Sequence, residues 1–159
     1  MIQYIEGQAD WSKVRIGISA ARWNAAITNE MVEGALSALK GRGVLEKNIT
    51  VVRCPGSYEL PLSCKQLLDN LEVDGVIALG VVIRGDTFHF DIVCDAVNRG
   101  IMELNLMYNK PVAFGVLTTD TAEQAVQRAG MDKGDKGAEA ALALCEMIAL
   151  GRKMKNIGN

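Results

Sequence analysis

The chain has no CxxC pair, no apolar run of membrane length, no marked excess of charge of either sign, and one histidine. Each shortage closes a class of function. The four cysteines, Cys54, Cys64, Cys94 and Cys145, are widely spaced and sit in apolar or helical surroundings. Free buried thiols are therefore expected, rather than a disulfide framework. One histidine with scattered cysteines supplies no tetrahedral ligand set, so no metal is expected. No Ser-His-Asp or Cys-His arrangement is discernible either. Net charge is −2 with acids and bases interspersed, which leaves no footprint for nucleic acid or a membrane surface. No stretch approaches the length of a membrane span. Met1–Glu6 offers neither a basic start nor an adequate apolar run, so no secretory leader is expected. The cytoplasm is the expected compartment. There is no internal repeat and no low-complexity segment.

What remains is ordinary for a globular chain. Hydrophobic residues make up 49% and charged residues 23%. A length of 159 residues suggests one domain, 1–159, large enough to bury a core without staples. The 16 glycines suggest many tight turns between strands and helices.

Strand and helix signals alternate four times. Val14–Ser19 reads as the first strand, and the helix after it, capped by Asn24, carries Ile27, Met31, Ala35 and Leu39 on one face. Gly41 and Gly43 end that helix. Ile49–Val52 is the second strand and Leu60–Leu71 the second helix, with Pro61 tolerated in its first turn. Val76–Ile83 is a continuous apolar run too short for a helix and reads as the third strand. A helix from Asp91 to Met107 and a strand at Val112–Leu117 follow. A short helix near Ala122–Ala129 precedes a polar, glycine-rich break over 130–137, and a last helix runs over about Ala138–Arg152. This pattern predicts an α/β fold: a three-layer α/β/α sandwich around a four-stranded parallel sheet with right-handed crossovers. Residues 1–6 alternate weakly and are expected to add a strand elsewhere, on a neighbouring subunit.

Parallel topology puts every strand-end turn on one edge of the sheet, where ligands bind in open α/β folds. Those turns carry Trp23, then Ser57, Tyr58 and Glu59, then Asp86, Thr87 and His89. The turn after the third strand holds glycine, a hydroxyl and the only histidine, and leads into a helix whose first N–H groups can seat an anion. His89 can move a proton near neutral pH, or it can be a surface histidine. Trp23 and Tyr58 can stack on a planar heterocycle, or they can be interface aromatics. Glu59 can accept from substrate hydroxyls, or merely complement a helix start. Arg128 can clamp a phosphate with its fork of donors, while Lys136 nearby reads equally well as solvated charge. Asp86 must point away from any phosphate bound there. Composition and spacing alone reach a phosphorylated-metabolite binder and stop.

Five segments in register go further. They are Ala21-Arg22-Trp23-Asn24, Pro55 to Pro61, Gly80 to Asp91, Pro111 to Thr119, and Gln127 to Gly130 running on to Gly134–Gly137. In order and spacing they closely resemble the lumazine synthase family, over nearly the whole chain. The resemblance implies a flavodoxin-like fold and a condensation of 5-amino-6-(D-ribitylamino)uracil with 3,4-dihydroxy-2-butanone 4-phosphate. The product would be 6,7-dimethyl-8-ribityllumazine, in the penultimate step of riboflavin biosynthesis, with no cofactor.

Carried over by position, the resemblance implies His89 as the proton-transfer residue. Trp23 would stack on the pyrimidine, where many members have Phe. Ser57, Tyr58, Glu59, Val81, Val82 and Ile83 would bind the aminouracil and its ribityl chain. Asp86 and Thr87 would seat the phosphate, mainly through backbone N–H groups. Phe114 and Arg128 would reach in from an adjacent subunit, Arg128 to the phosphate, and Lys136 would be a nearby basic group. The family resemblance further implies pentamers, some closing twelve together into a hollow shell, with riboflavin synthase as a candidate partner. The short break over 130–137 leans toward the shell. Rival readings are a flavin or lumazine storage module without turnover, a flavodoxin-like electron carrier, and a phosphate-binding domain of a larger complex.

Overall fold

In the computed structural model, which describes residues 1–131 and 133–158, the strand run Gly75–Ile83 (β3) is buried from Gly75 through Val81. It lies beside Ile16–Ala21 (β1), which is buried at every position. Strands shielded on both faces read as continuous apolar sequence rather than as an alternation. Ile49–Cys54 (β2) pairs with the other side of β1, and Val112–Thr119 (β4) with the other side of β3. All pairings are parallel and the order is β2-β1-β3-β4. This is the expected four-stranded parallel sheet.

Successive strand residues point to opposite faces, so each strand feeds two cores. Ile16, Ile18, Ile77, Leu79 and Leu117 pack on one face. Ala25–Arg42 (α1) meets them with Met31, Ala35 and Leu39, and Lys136–Ile157 (α5) with Ala141, Leu144 and Ile148. Val76, Ala78, Val112 and Val116 face the other way. Leu60–Asn70 (α2) covers them with Leu60, Cys64 and Leu67, and His89–Tyr108 (α3) with Val93, Val97 and Ile101. The three layers follow from that division. Ala122–Arg128 (α4) caps the β4 side.

Several boundaries differ from the sequence reading. β4 runs to Thr119, because Val82 and Ile83 of β3 still pair with Thr118 and Thr119. α3 begins at His89 rather than Asp91: Phe88 is already helical, and its carbonyl accepts from the N–H groups of Asp91 and Ile92. The 130–137 break contains a small antiparallel ribbon, Ala129–Met131 (β5) with Gly134–Asp135 (β6), and the first residues of α5. Gly130 and Gly134 there have φ of 121° and 116°, values that favour glycine. Asp135 caps α5 by accepting from the Ala138 N–H, so the helix starts two residues early. Asp132, in the middle of the break, and the C-terminal Asn159 lie outside the described residues. Residues 1–10 form no strand. Among the described residues no helix is long and apolar enough to cross a membrane.

All four cysteines are free; Cys54, Cys64 and Cys145 are buried, while Cys94 is only half-buried. Burial pushes the Cys64 thiol up to about 12. A thiol reacts as its thiolate, so this one is inert near neutrality. Iodoacetamide at pH 8 should therefore modify Cys94 first, and Cys64 and Cys145 only after unfolding. Peptide mapping with and without guanidinium reads this directly. Labelling of Cys64 at the rate of Cys94 in the folded protein would contradict it.

Candidate functional site

Strand order reverses between β1 and β3, so their carboxyl ends open the crevice where ligands bind in such sheets. The turns above that crevice are tied to one another. Past the end of β1, Arg22 N–H donates to the Cys54 carbonyl at 2.8 Å and Trp23 N–H to the Pro55 carbonyl at 3.0 Å. The turn after β1 is thereby zipped to the turn after β2. Trp23 is 63% exposed, and its indole lies across Gly56 so closely that a Cβ there would stand 2.3 Å from Cε3.

The next residues hold that geometry. Glu59 is half-buried, and its Oε2 accepts from the Gly56 N–H at 3.0 Å, bracing the turn under the indole. Ser57 is buried and donates through Oγ to the Val81 carbonyl at 3.4 Å. Gly80 leaves room for it, since a Cβ there would meet Ser57 Oγ at 2.5 Å. Tyr58 stands outward and exposed. Asn24 also donates to the Val81 carbonyl, through Nδ2 at 3.4 Å. It sits at the start of α1 as the sequence suggests, but it does not cap the helix with its side chain. Its backbone is left-handed, φ 59° and ψ 43°, which Asn tolerates better than most residues. That tolerance is the signal that sequence reasoning could have used. Val81 is buried, and Val82 and Ile83 are half-buried at the end of β3. The structure thus brings Trp23, Ser57, Tyr58, Glu59 and Val81 together around two linked turns and the end of β3.

The turn after β3 continues this edge. Arg84 N–H donates to the Thr119 carbonyl at 2.9 Å, keeping β3 and β4 in step before the chain turns. Asp86, Thr87, Phe88 and His89 are all exposed. The His89 N–H donates to Thr87 Oγ1 at 3.4 Å. His89 opens α3, so its backbone N–H lies beside a hydroxyl at a helix start, where the first donors have no intrahelical partner.

Arg128 and Lys136 border that turn from the β4 side. They line a cavity of about 630 Å³ beside β4, together with Arg84, Phe90, Thr118 and Thr119. Arg128 is half-buried and donates through Nη1 to the Gln124 carbonyl at 2.9 Å. Lys136 Nζ lies 3.9 Å from Glu139. Trp23, Tyr58, Glu59 and His89 do not line this cavity. Phe114 lies on β4 opposite Ala78 and is 37% exposed, outside the cavity lining as well. The residues expected to act together therefore fall into two sets. One lies above β1, β2 and β3, and the other along β4.

Two comparisons bear on what such an edge does. Residues 13–152 match the family described as 6,7-dimethyl-8-ribityllumazine synthase. A protein of Parabacteroides distasonis named 6,7-dimethyl-8-ribityllumazine synthase is 51% identical over 139 residues, covering 87% of this chain and 87% of that one.

Proposed function

Because this chain belongs to the 6,7-dimethyl-8-ribityllumazine synthase family, we propose that residues 1–159 act as one such enzyme unit. It is a transferase of riboflavin biosynthesis. It condenses 5-amino-6-(D-ribitylamino)uracil with 3,4-dihydroxy-2-butanone 4-phosphate. The observation that carries the reading is the family match across 13–152, joined to a site edge that offers an aromatic platform, a carboxylate and a helix-start anion seat.

The reaction needs no electron transfer. The 5-amino group attacks the ketone and loses water to give an imine. Phosphate leaves, and the ribitylamino nitrogen then attacks the remaining carbonyl and closes the second ring with loss of a second water. Trp23 offers an exposed face for the pyrimidine. Ser57, Tyr58, Glu59, Val81, Val82 and Ile83 form its wall, and Glu59 accepts from the ribityl hydroxyls. Asp86 and Thr87 contribute backbone donors to the phosphate, and His89 shuttles the proton. Holding two small molecules in one pocket supplies much of the acceleration.

Phe114, Arg128 and Lys136 enter from a second copy. Arg128 and Lys136 line a cavity that Trp23, Tyr58, Glu59 and His89 do not, and Phe114 lies on the edge strand β4, which supports an active site shared between subunits. A site shared head to tail needs a heterologous contact that closes into a ring. We assign the ring as a pentamer, with twelve closing into a shell, in the cytoplasm and with riboflavin synthase as partner. Residues 1–6 would pair as a strand with the neighbouring copy.

The test mixes purified protein with both substrates and follows lumazine fluorescence with phosphate release, subtracting the uncatalysed background. Product should form well above background. His89→Ala should lose on the order of a hundredfold in kcat, the lower range for a general acid–base group. Arg128→Ala should raise the KM for the butanone phosphate by about tenfold or more, as for a lost charge-assisted contact. A folded oligomer that binds lumazine tightly without turnover would instead identify a storage module.

A further inference from the structure

Arg84 is the first residue after β3, and its side chain makes three attachments. Its Nε lies 2.8 Å from Asp120 Oδ1, in the turn between β4 and α4. Its Nη1 lies 3.5 Å from Asp91 Oδ2, in the first turn of α3. The guanidinium stands 4.2 Å from the centre of the Phe90 ring. Asp91, Asp120 and Arg84 are each 42–68% exposed, and ion pairs so exposed add little stability. Stability therefore does not account for a side chain committed to both α3 and the β4–α4 turn.

Its position does. The chain from Arg84 to Asp91 contains the whole of the candidate anion seat, Gly85 to His89. Pairing Arg84 with Asp91 closes that segment at both ends. Asp91 is the third residue of α3, where a carboxylate is drawn by the same partial positive charge that attracts a bound anion. Left unpaired, it competes with a phosphate for that charge and repels it.

We propose that Arg84 is a positioning residue for the phosphate-bearing substrate: by pairing with Asp91 and Asp120 it fixes the 85–89 turn and neutralises Asp91, the carboxylate in the helix turn that follows the seat. Arg84 makes no contact with the phosphate in this scheme. The inference rests on the synthase reading, and its test is built to fail separately from it.

Arg84→Met keeps an apolar stem over Phe90 and removes the charge. With each substrate varied in turn, it should raise the KM for the butanone phosphate about fivefold or more, the scale of a helix-terminus charge effect. The KM for the aminouracil should stay within about twofold. Inorganic phosphate, used as a competing ligand, should weaken in parallel. Adding Asp91→Asn to Arg84→Met should restore most of the loss, because the unpaired carboxylate is gone. Circular dichroism checks that both proteins fold. Equal rises in both KM values would overturn the proposal. So would a double variant no better than Arg84→Met, which would make Arg84 a direct phosphate ligand. If the unaltered protein shows no turnover, the synthase reading fails. The same three proteins then still rank by phosphate affinity in calorimetry, and only the order wild type, double variant, Arg84→Met supports Arg84 as proposed.

Discussion

Gly56→Ala is expected to raise the KM for the aminouracil about tenfold while leaving the protein nearly as stable as before. The backbone at Gly56 is extended, φ −140° and ψ −176°, so any residue can adopt it. The glycine is needed because the Trp23 indole lies on it. An added Cβ would stand 2.3 Å from Cε3 and 2.6 Å from Cζ3. The ring must leave, and it can leave cheaply, because Trp23 is 63% exposed and gives up little buried area. The stability cost should stay below about 1 kcal/mol. The binding cost is larger, because a heterocycle stacked on an aromatic face is worth about 1–3 kcal/mol, or roughly fivefold in affinity at the lower end and tenfold at about 1.4 kcal/mol. The measurement is KM for each substrate, with melting temperature and tryptophan emission as controls. A shifted emission with both KM values unchanged would remove Trp23 from the site. A large drop in melting temperature would mean that the turn, not the ring, had failed.

The order of elements was legible because burial on both faces writes β3 as an unbroken apolar run, and α1 keeps its apolar residues on one side. The edge that carries the candidate residues was legible for a related reason. A parallel sheet gathers its strand-end turns, so the residues in Pro55–Glu59 and Gly85–His89 had to share an edge with Trp23. What sequence could not supply was contact between distant positions. Nothing local says that Gly56 carries an indole or that Gly80 makes room for Ser57. Asn24 was readable as a helix start but not as a donor to Val81, 57 residues away. Asp135 was overlooked as a cap because the glycines around it spelled a loop, and so α5 begins earlier than its apolar periodicity suggests. Arg128 lines a cavity that His89 does not, and that division depends on where α4 packs beside the edge strand β4, which no local pattern states.

Gly137→Ala tests the opposite case, in which the neighbour cannot move. A Cβ at Gly137 would lie 1.9 Å from the Met31 carbonyl oxygen and 2.7 Å from its carbonyl carbon. Those atoms are the backbone of α1, hydrogen-bonded within a helix whose other face is buried in the core. Helix propensity alone favours alanine over glycine by about 1 kcal/mol. Overpacking against rigid backbone costs about 1–3 kcal/mol and occasionally more, because α5 must move off α1 and take Ala141, Leu144 and Ile148 out of register with the core. At 1.9 Å from helix backbone the upper end of that range applies, so packing outweighs propensity and a net loss of about 2 kcal/mol is expected, equivalent to roughly 4–8 °C in melting temperature for a chain of this size. Gly151→Ala is the internal control. It lies in the same helix with nothing within 4 Å of the added carbon, so propensity acts alone and stability should rise by up to about 1 kcal/mol. Urea unfolding of the two variants should give shifts of opposite sign. Two shifts of the same sign would mean that α5 docks on α1 more loosely than its Gly137 contact requires. Activity should follow Gly137→Ala as well, because α5 opens with Lys136, and moving its first turn moves that lysine in the cavity it shares with Arg128.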